Sequence, residues 1–234
     1  MPAPSKAKIL LLLAGAAFLF LLPALWNGFP FVYHDTGVYL LSAKTFYVPV
    51  DRPVFYGLFL AIARLGYFSN WWPAAAQCLL VSALLWLTVR SLVLKGRPLV
   101  FLAAASVLAL LSSLPWFAGQ LMPDIWALIL ALSLFLFLFA HDRLTLLEQS
   151  FLLLLSLASA LIHLSHIGLF LAILVIFLLL GKPRHRLREP AFRLVAIGWV
   201  FLLPFTAIVN LTLTGEHFVA RAGHAFFLNR LVGD

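Results

Sequence analysis

Residues 9–26, ILLLLAGAAFLFLLPALW, form an apolar run that follows two basic residues, Lys6 and Lys8. A helix of about 17–25 apolar residues is long enough to cross the hydrocarbon core of a bilayer. The run ends in Pro-Ala-Leu-Trp-Asn-Gly, without the small-x-small pattern at which a signal peptide is cleaved. We therefore expect residues 9–26 to be an uncleaved first membrane span.

The composition of the whole chain supports the same conclusion. Of its 234 residues, 64% are hydrophobic and 10% are charged, and the mean hydropathy is +1.08. A soluble domain of this size needs far more charge on its exterior. The single cysteine, Cys78, excludes a disulfide framework and a cysteine metal cage. The composition predicts an all-α polytopic membrane protein.

Apolar runs recur along the chain and predict about seven transmembrane helices in a single membrane domain, residues 1–234. The predicted spans are Ile9–Trp26, Trp72–Val89, Pro98–Leu114, Ile125–Ala140, Leu144–Ile162, Ile167–Leu180 and Ala191–Leu213.

The distribution of basic residues decides how an eighth apolar segment, Pro53–Phe68, should be placed. Lys6 and Lys8 put the N-terminus on the cytoplasmic side. If Pro53–Phe68 spanned the membrane, the basic clusters Arg90–Arg97 and Lys182–Arg188 would both fall outside. If it lies in the interface, both clusters are cytoplasmic, which agrees with the positive-inside rule. Basic clusters on the cytoplasmic side of a membrane protein account for the net charge of +8. We therefore expect no nucleic-acid partner.

This topology leaves three stretches on the outer side of the membrane. They are a long loop with interfacial helices (residues 27–71), a short loop (Pro115–Asp124) and a C-terminal tail (residues 214–234). The tail has a weak amphipathic pattern that would suit an interfacial helix.

Three carboxylates, Asp35, Asp51 and Asp124, belong to these outer stretches and lie next to the ends of apolar segments. They could bind a divalent metal ion or act as a general base. They could equally be ordinary helix caps. His163 and His166 share a helix face by their spacing and could ligate a metal, or could be polar residues satisfied at a turn.

Arg52 and Lys44 are basic residues of the same outer loop. An arginine at the bilayer surface can form a bidentate pair with a phosphate. The alternative is snorkelling to lipid headgroups.

The order of the short motifs resembles that of the GT-C glycosyltransferases of the protein O-mannosyltransferase and aminoarabinose transferase type. The segments on which this resemblance depends are YHDTGVYL (33–40), DRPVFYGL (51–58) and MPDI (122–125). The resemblance extends over roughly residues 8–213. This chain has arginine where the family has lysine, lacks one proline of the second motif, and has histidines in place of a Thr-Lys-Gly turn. We therefore expect a short or partial member, since the resemblance does not extend to the further spans and outer domain that most members carry.

The resemblance implies a role for each matching residue. Asp35 would be the catalytic carboxylate, which acts as general base on the acceptor or holds the acceptor through a divalent metal, and Asp51 would be a second acidic ligand. Arg52 would lie near the donor phosphate. Further substrate contacts would come from Tyr39, Tyr56 and Asp124 of these motifs, and Lys44, a basic residue of the same loop, is a further candidate for substrate binding.

The function expected from these features is transfer of a sugar from a polyprenyl-phosphate-linked donor to an acceptor on the outer face of the membrane. The site would then face the periplasm, and the protein would lie in a bacterial inner membrane. A non-catalytic lipid-phosphate-binding module, working with a partner membrane subunit, is the main alternative. A transporter or flippase is less favoured, because few polar residues fall within the predicted spans.

Overall fold

A computed structural model describes residues 5–64, 69–93 and 97–221, and this part of the chain is helical, with no β-strand. Its helices are α1 (Lys6–Trp26), α2 (Thr36–Thr45), α3 (Phe55–Ala63), α4 (Trp71–Leu92), α5 (Arg97–Leu111), α6 (Leu114–Ala118), α7 (Ile125–Phe139), α8 (Leu146–Ile162), α9 (Leu164–Leu179), α10 (Pro183–Arg186) and α11 (Pro190–Thr214), with a 3₁₀ turn at His141–Arg143.

Three of these helices, α1, α4 and α11, are long and apolar enough to cross a membrane. They contain 21, 22 and 25 residues. Four further apolar helices, α5, α7, α8 and α9, have only 15 to 17 residues. The predicted all-α membrane protein is therefore confirmed at this level, and each of the seven predicted apolar runs is largely helical.

Local sequence signals explain several helix boundaries. Thr145 and Glu148 form a capping box, in which each side chain bonds the other's backbone N–H, so α8 begins at Leu146. Gly215 ends α11 with a left-handed backbone at φ 76°, a conformation that glycine adopts at little cost.

One end of the helix bundle, here called the cavity end, brings together the loops after α1 and before α7. The backbone N–H of Phe31 donates to Gly119 at 3.0 Å, and that of Leu121 donates to Phe31 at 2.8 Å. The hydroxyl of Thr36 donates to the Leu121 carbonyl at 3.2 Å. The loop after α1 and the loop before α7 therefore lie side by side.

The opposite end, here called the basic end, is held by arginines. Arg90 at the end of α4 pairs bidentately with Glu148 at the start of α8, at 2.6 and 2.7 Å. Arg143 donates to the carbonyl of Ser91. Arg186 stacks over the ring of Phe177, with 4.3 Å from guanidinium carbon to centroid. The ends of α4, α7 and α9 therefore meet here.

The segment predicted as an interfacial helix, Pro53–Phe68, forms α3, which has nine residues and packs against α2. Residues 65–68 lie outside the described part of the chain, as do residues 222–234 of the tail. The predicted helix in the tail therefore falls mostly outside it.

Candidate functional site

A cavity of about 840 Å³ opens at the cavity end of the bundle. Four separate stretches of sequence line it: the loop before α2, the turn before α3, the start of α7 and the junction of α8 with α9. Its polar lining residues are Tyr33, Asp35, Tyr39, Asp51, Arg52, Asp124, His163, Ser165 and His166. Seven of the nine predicted site residues thus lie around one space.

Arg52 is the centre of the charged cluster. Its Nη1 lies 2.6 Å from Oδ2 of Asp35, and its Nη2 and Nε donate to Oδ2 of Asp51 at 2.7 and 3.1 Å. Nε2 of His34 lies 2.9 Å from the other oxygen of Asp35. The Arg52 side chain is 18% exposed. The guanidinium therefore already holds two carboxylates before any ligand enters.

These contacts shift the ionisation of the cluster. The hydrogen bond from Arg52 lowers the pKa of Asp51 and outweighs the opposing effect of burial. Burial alone would lower the pKa of Arg52, but the bonds to Asp51 and Asp35 prevail and raise it. The pair is thus ionised at neutral pH.

The two motif tyrosines have different positions. Tyr39 lies under Arg52, with 5.4 Å between guanidinium carbon and ring centroid, and its ring lines the cavity. Burial raises the pKa of the Tyr39 hydroxyl, so it remains a neutral hydrogen-bonding group. Tyr56 packs edge-on against Tyr39 at 4.9 Å but is fully buried. The structure places Tyr56 behind the cavity wall, where it cannot touch a substrate directly.

Lys44 lies near the end of α2, with an exposed side chain, and is not among the residues that line the cavity. The sequence could not distinguish it from Arg52, because both are basic residues of the same predicted loop. In the structure Lys44 is on α2 with an exposed side chain, whereas Arg52 lies in the turn before α3 and lines the cavity.

Helix capping does not explain the three carboxylates. Asp35 and Asp124 occupy the N-cap positions of α2 and α7, but neither side chain makes a capping hydrogen bond. Asp51 precedes α3, whose N-cap is Val54. Asp124 is exposed, and within the described residues its carboxylate forms no ion pair.

The histidines lie at the junction of α8 and α9. His163 caps α9, since its Nδ1 accepts from the backbone N–H of Ser165 at 3.3 Å. Burial lowers the pKa of His163, which favours the neutral ring. His166 is buried, with its Nδ1 2.8 Å from the carbonyl of Ser159. These contacts favour the interpretation of polar residues satisfied at a turn.

The side chains that could ligate a metal ion do not come together as a metal site in the described residues. Across residues 5–64, 69–93 and 97–221, no group of three or more His, Cys, Asp and Glu side chains could hold a metal. Asp35 and Asp51 are both committed to Arg52. The predicted ligands Asp35, Asp51, His163 and His166 line one cavity without forming a metal site. A divalent cofactor stays a prediction.

The cavity is negatively charged overall. Its three carboxylates exceed its one arginine, so the net charge of its lining residues is −2 when the histidines are neutral. Such a cavity stabilises a positive charge. It disfavours any anion beyond one that Arg52 can pair with.

A second, apolar groove adjoins the cavity. It has a volume of about 630 Å³ and is lined mainly by apolar residues of α4, α5, α6 and α7, including Val81, Leu108 and Leu132. Asp124 lines both spaces. The groove hydroxyls of Thr88 and Ser112 donate to carbonyls of their own helices. The mainly apolar walls therefore suit a hydrocarbon chain, and Asp124 is the charged residue among the lining residues.

One important residue was missed by sequence reasoning. Gln77 is fully buried and hydrogen-bonded behind the cavity. The available signal was an amide inside a predicted apolar span, which is costly unless it is satisfied.

No protein-family model, curated protein or solved structure matches the chain.

Proposed function

We propose that this protein is a seven-span membrane glycosyltransferase of GT-C-like architecture. It moves a sugar from a polyprenyl-phosphate-linked donor to an acceptor on the outer face of a bacterial inner membrane. The observation that carries the proposal is the single cavity around Asp35, Arg52, Asp124 and the His163–His166 turn. These residues are far apart in the sequence, and their side chains line the same cavity.

The loop contacts favour seven crossings over three. If only α1, α4 and α11 crossed the membrane, Asp35 would lie outside, and Asp124 and His163 would lie inside. The backbone hydrogen bonds that Phe31 forms with Gly119 and Leu121 require the two loops to be on the same side. The shared cavity requires the same of His163. Both conditions are met if the four shorter apolar helices cross as well.

The apolar groove supports a lipid-linked donor. It runs along α7 and meets the polar cavity at Asp124. A lipid whose chain lies in the groove would bring its headgroup to the cavity. Arg52 is the cavity cation that can receive a phosphate, by exchanging one carboxylate partner for a phosphate oxygen.

The charge of the cavity suits the chemistry. When the sugar carbon–phosphate oxygen bond breaks, the polyprenyl phosphate leaves with the electron pair and positive charge builds up on the sugar ring. Fixed carboxylates stabilise that charge. The acceptor hydroxyl forms the new bond to the anomeric carbon and gives its proton to a carboxylate. Asp35 has this role by resemblance, and among the three cavity carboxylates Asp124 is the one without an ion pair to a described residue.

Native mass spectrometry of the protein purified in mild detergent tests the proposal. Wild type should retain a polyprenyl-phosphate species, and Arg52→Ala should lose most of it. Lys44→Ala, which removes a basic residue outside the cavity, is the matched control and should retain the lipid. Asp35→Asn should keep the lipid but abolish sugar transfer. Bulk phospholipid alone, equal in all four samples, would contradict a lipid-phosphate site.

A non-catalytic lipid-phosphate-binding subunit is the second candidate. One observation favours it: one oxygen of Asp35 contacts His34 and the other contacts Arg52. Because both oxygens are engaged, this carboxylate is poorly placed to accept a proton from an acceptor hydroxyl. In that case Arg52→Ala would still release the lipid, while wild type and Asp35→Asn would be equally inactive in transfer. Co-purification of a partner membrane subunit would then be expected.

A further inference from the structure

Gln77 lies on α4 and is fully buried between three other segments. Its Oε1 accepts hydrogen bonds from the Tyr56 hydroxyl at 3.0 Å and the Trp126 indole N–H at 3.2 Å. Its Nε2 donates to the carbonyls of Ala118 at 3.1 Å and Gln120 at 2.8 Å. The amide thus uses two donors and two acceptor positions.

Each of these bonds leads to a segment that carries a cavity carboxylate. Tyr56 belongs to α3, whose first turn follows the Asp51–Arg52 turn. Trp126 is in the first turn of α7, two residues after Asp124.

The third connection reaches Asp35 through the backbone. Gln120, which accepts from Gln77, precedes Leu121. The Leu121 carbonyl accepts from the hydroxyl of Thr36, the residue after Asp35. The Leu121 N–H donates to Phe31 in the same loop. One side chain therefore ties together the three stretches on which Asp35, Asp51 and Asp124 lie.

We infer that Gln77 is the positioning residue that sets the relative placement of the three carboxylates. It does not touch the cavity and acts through Tyr56, Trp126 and the backbone at 118–120. A buried amide in a membrane helix is tolerated only when its polar groups are satisfied, and here the partners are the site-bearing segments themselves. The consequence for catalysis rests on the proposed function, whereas the geometric role does not.

Distances between spin labels test the geometric role without any assay of activity. In a Cys78→Ala background, labels are attached at Ile62→Cys on α3 and Leu128→Cys on α7, both of which are exposed positions. Adding Gln77→Leu, which keeps the bulk but removes all four bonds, should broaden and shift the distance distribution. Gln77→Glu keeps acceptor oxygens but loses the amide donors, and should give an intermediate width.

Ser82→Ala is the matched control. Ser82 is a buried polar residue of the same helix, and its hydroxyl donates to Leu13 on α1, away from the cavity segments. It should leave the Ile62–Leu128 distribution narrow. An unchanged distribution in Gln77→Leu, with helix content and elution volume like those of the background protein, would overturn the inference.

The outcome also separates this inference from the proposed function. If wild type transfers sugar, Gln77→Leu should lower turnover by about 10²-fold, the size of effect that small misplacements cause, with a smaller change in KM. Broadening of the distance distribution in a protein without transferase activity would uphold the positioning role and reject the transferase. Full turnover in Gln77→Leu would overturn the positioning role even if the transferase is correct.

Discussion

The Arg52 guanidinium lies 2.6 Å from the Asp35 carboxylate, and this ion pair joins the start of α2 to the turn before α3. The same guanidinium also holds Asp51. A phosphate can therefore reach Arg52 only by competing with carboxylates already in place. Such competition makes the cavity selective, since a ligand must offer better geometry than the resident pair.

The first prediction concerns the pH dependence of this cluster. The lowered pKa of Asp51 means that its ion pair stabilises the folded state fully above the unfolded pKa of about 4, and that this contribution is lost as the pH falls through the folded value. Asp51→Asn should lower the free energy of unfolding by up to about 1 kcal/mol at pH 7, because the pair is partly exposed. Thermal unfolding in detergent from pH 7 to pH 3 should show the difference from wild type vanishing below pH 4. A difference that is constant with pH would be inconsistent with the ion pair.

The second prediction concerns the basic end. Arg90 and Glu148 form a bidentate, partly buried pair, with side chains 24% and 23% exposed. A double-mutant cycle with alanine at both positions should give a coupling energy of about 1–2 kcal/mol, as for charged hydrogen bonds. The more exposed pair Arg221–Glu216 serves as the control and should give about 0.5 kcal/mol or less. Equal coupling in the two pairs would mean that the Arg90–Glu148 bond contributes no more than a surface contact.

The third prediction tests the packing of α2 against α3. A Cβ on Gly57 would lie 2.7 Å from the Cβ of Ser42, so Gly57→Ala should force the two helices apart and reduce thermal stability and lipid retention. Gly37→Ala on α2 is the control, because a Cβ there meets nothing within 4 Å. That substitution should be neutral or stabilise by about 0.5–1 kcal/mol. Similar behaviour of the two variants would show that close packing at Gly57 is not needed.

The fourth prediction concerns membrane topology. In a Cys78→Ala background, single cysteines at His34, Ser165 and Arg188 are treated with a thiol reagent that does not cross membranes. All three positions are exposed. Seven spans place His34 and Ser165 outside and Arg188 inside, whereas three spans place Ser165 inside with Arg188. Labelling of intact cells at His34→Cys and Ser165→Cys, but not at Arg188→Cys, is expected. Protection of Ser165→Cys until the membrane is opened would refute the seven-span arrangement.

The sequence predicted the helical architecture well, because membrane helices have a strong composition signal. The run at residues 9–26 lies within α1 as expected. The same composition signal predicted some spans to be longer than the helices that form. The predicted span Pro98–Leu114 divides into α5, which ends at Leu111, and the short α6, where Ser112 and Ser113 precede Leu114 and Pro115. The hydroxyl of Ser112 bonds back to Leu108, which competes with continued helix formation.

For the site, the sequence identified the chemistry but not the directions of the side chains. Asp35 and Arg52 could be selected by residue type and position in an outer loop. Whether Tyr56 or Tyr39 faces the cavity depends on the packing of α2 on α3, which no local pattern encodes. The sequence marks Gln77 as an amide inside an apolar span but hides its partners, since those at 118–120 are backbone carbonyls that carry no signal in the sequence.

The shortness of α7 has a consequence for the surrounding lipid. Its 15 residues rise about 22 Å, against about 30 Å for an average hydrocarbon core. Where a spanning segment is too short, the bilayer thins to match it, at a modest cost for each ångström. In the seven-span arrangement, α5 and α7 are the shortest spans, and Asp124 lies at the start of α7. Hydrophobic mismatch there would draw the headgroup layer down towards the mouth of the cavity, so that a carrier lipid would have less distance to rise to reach it.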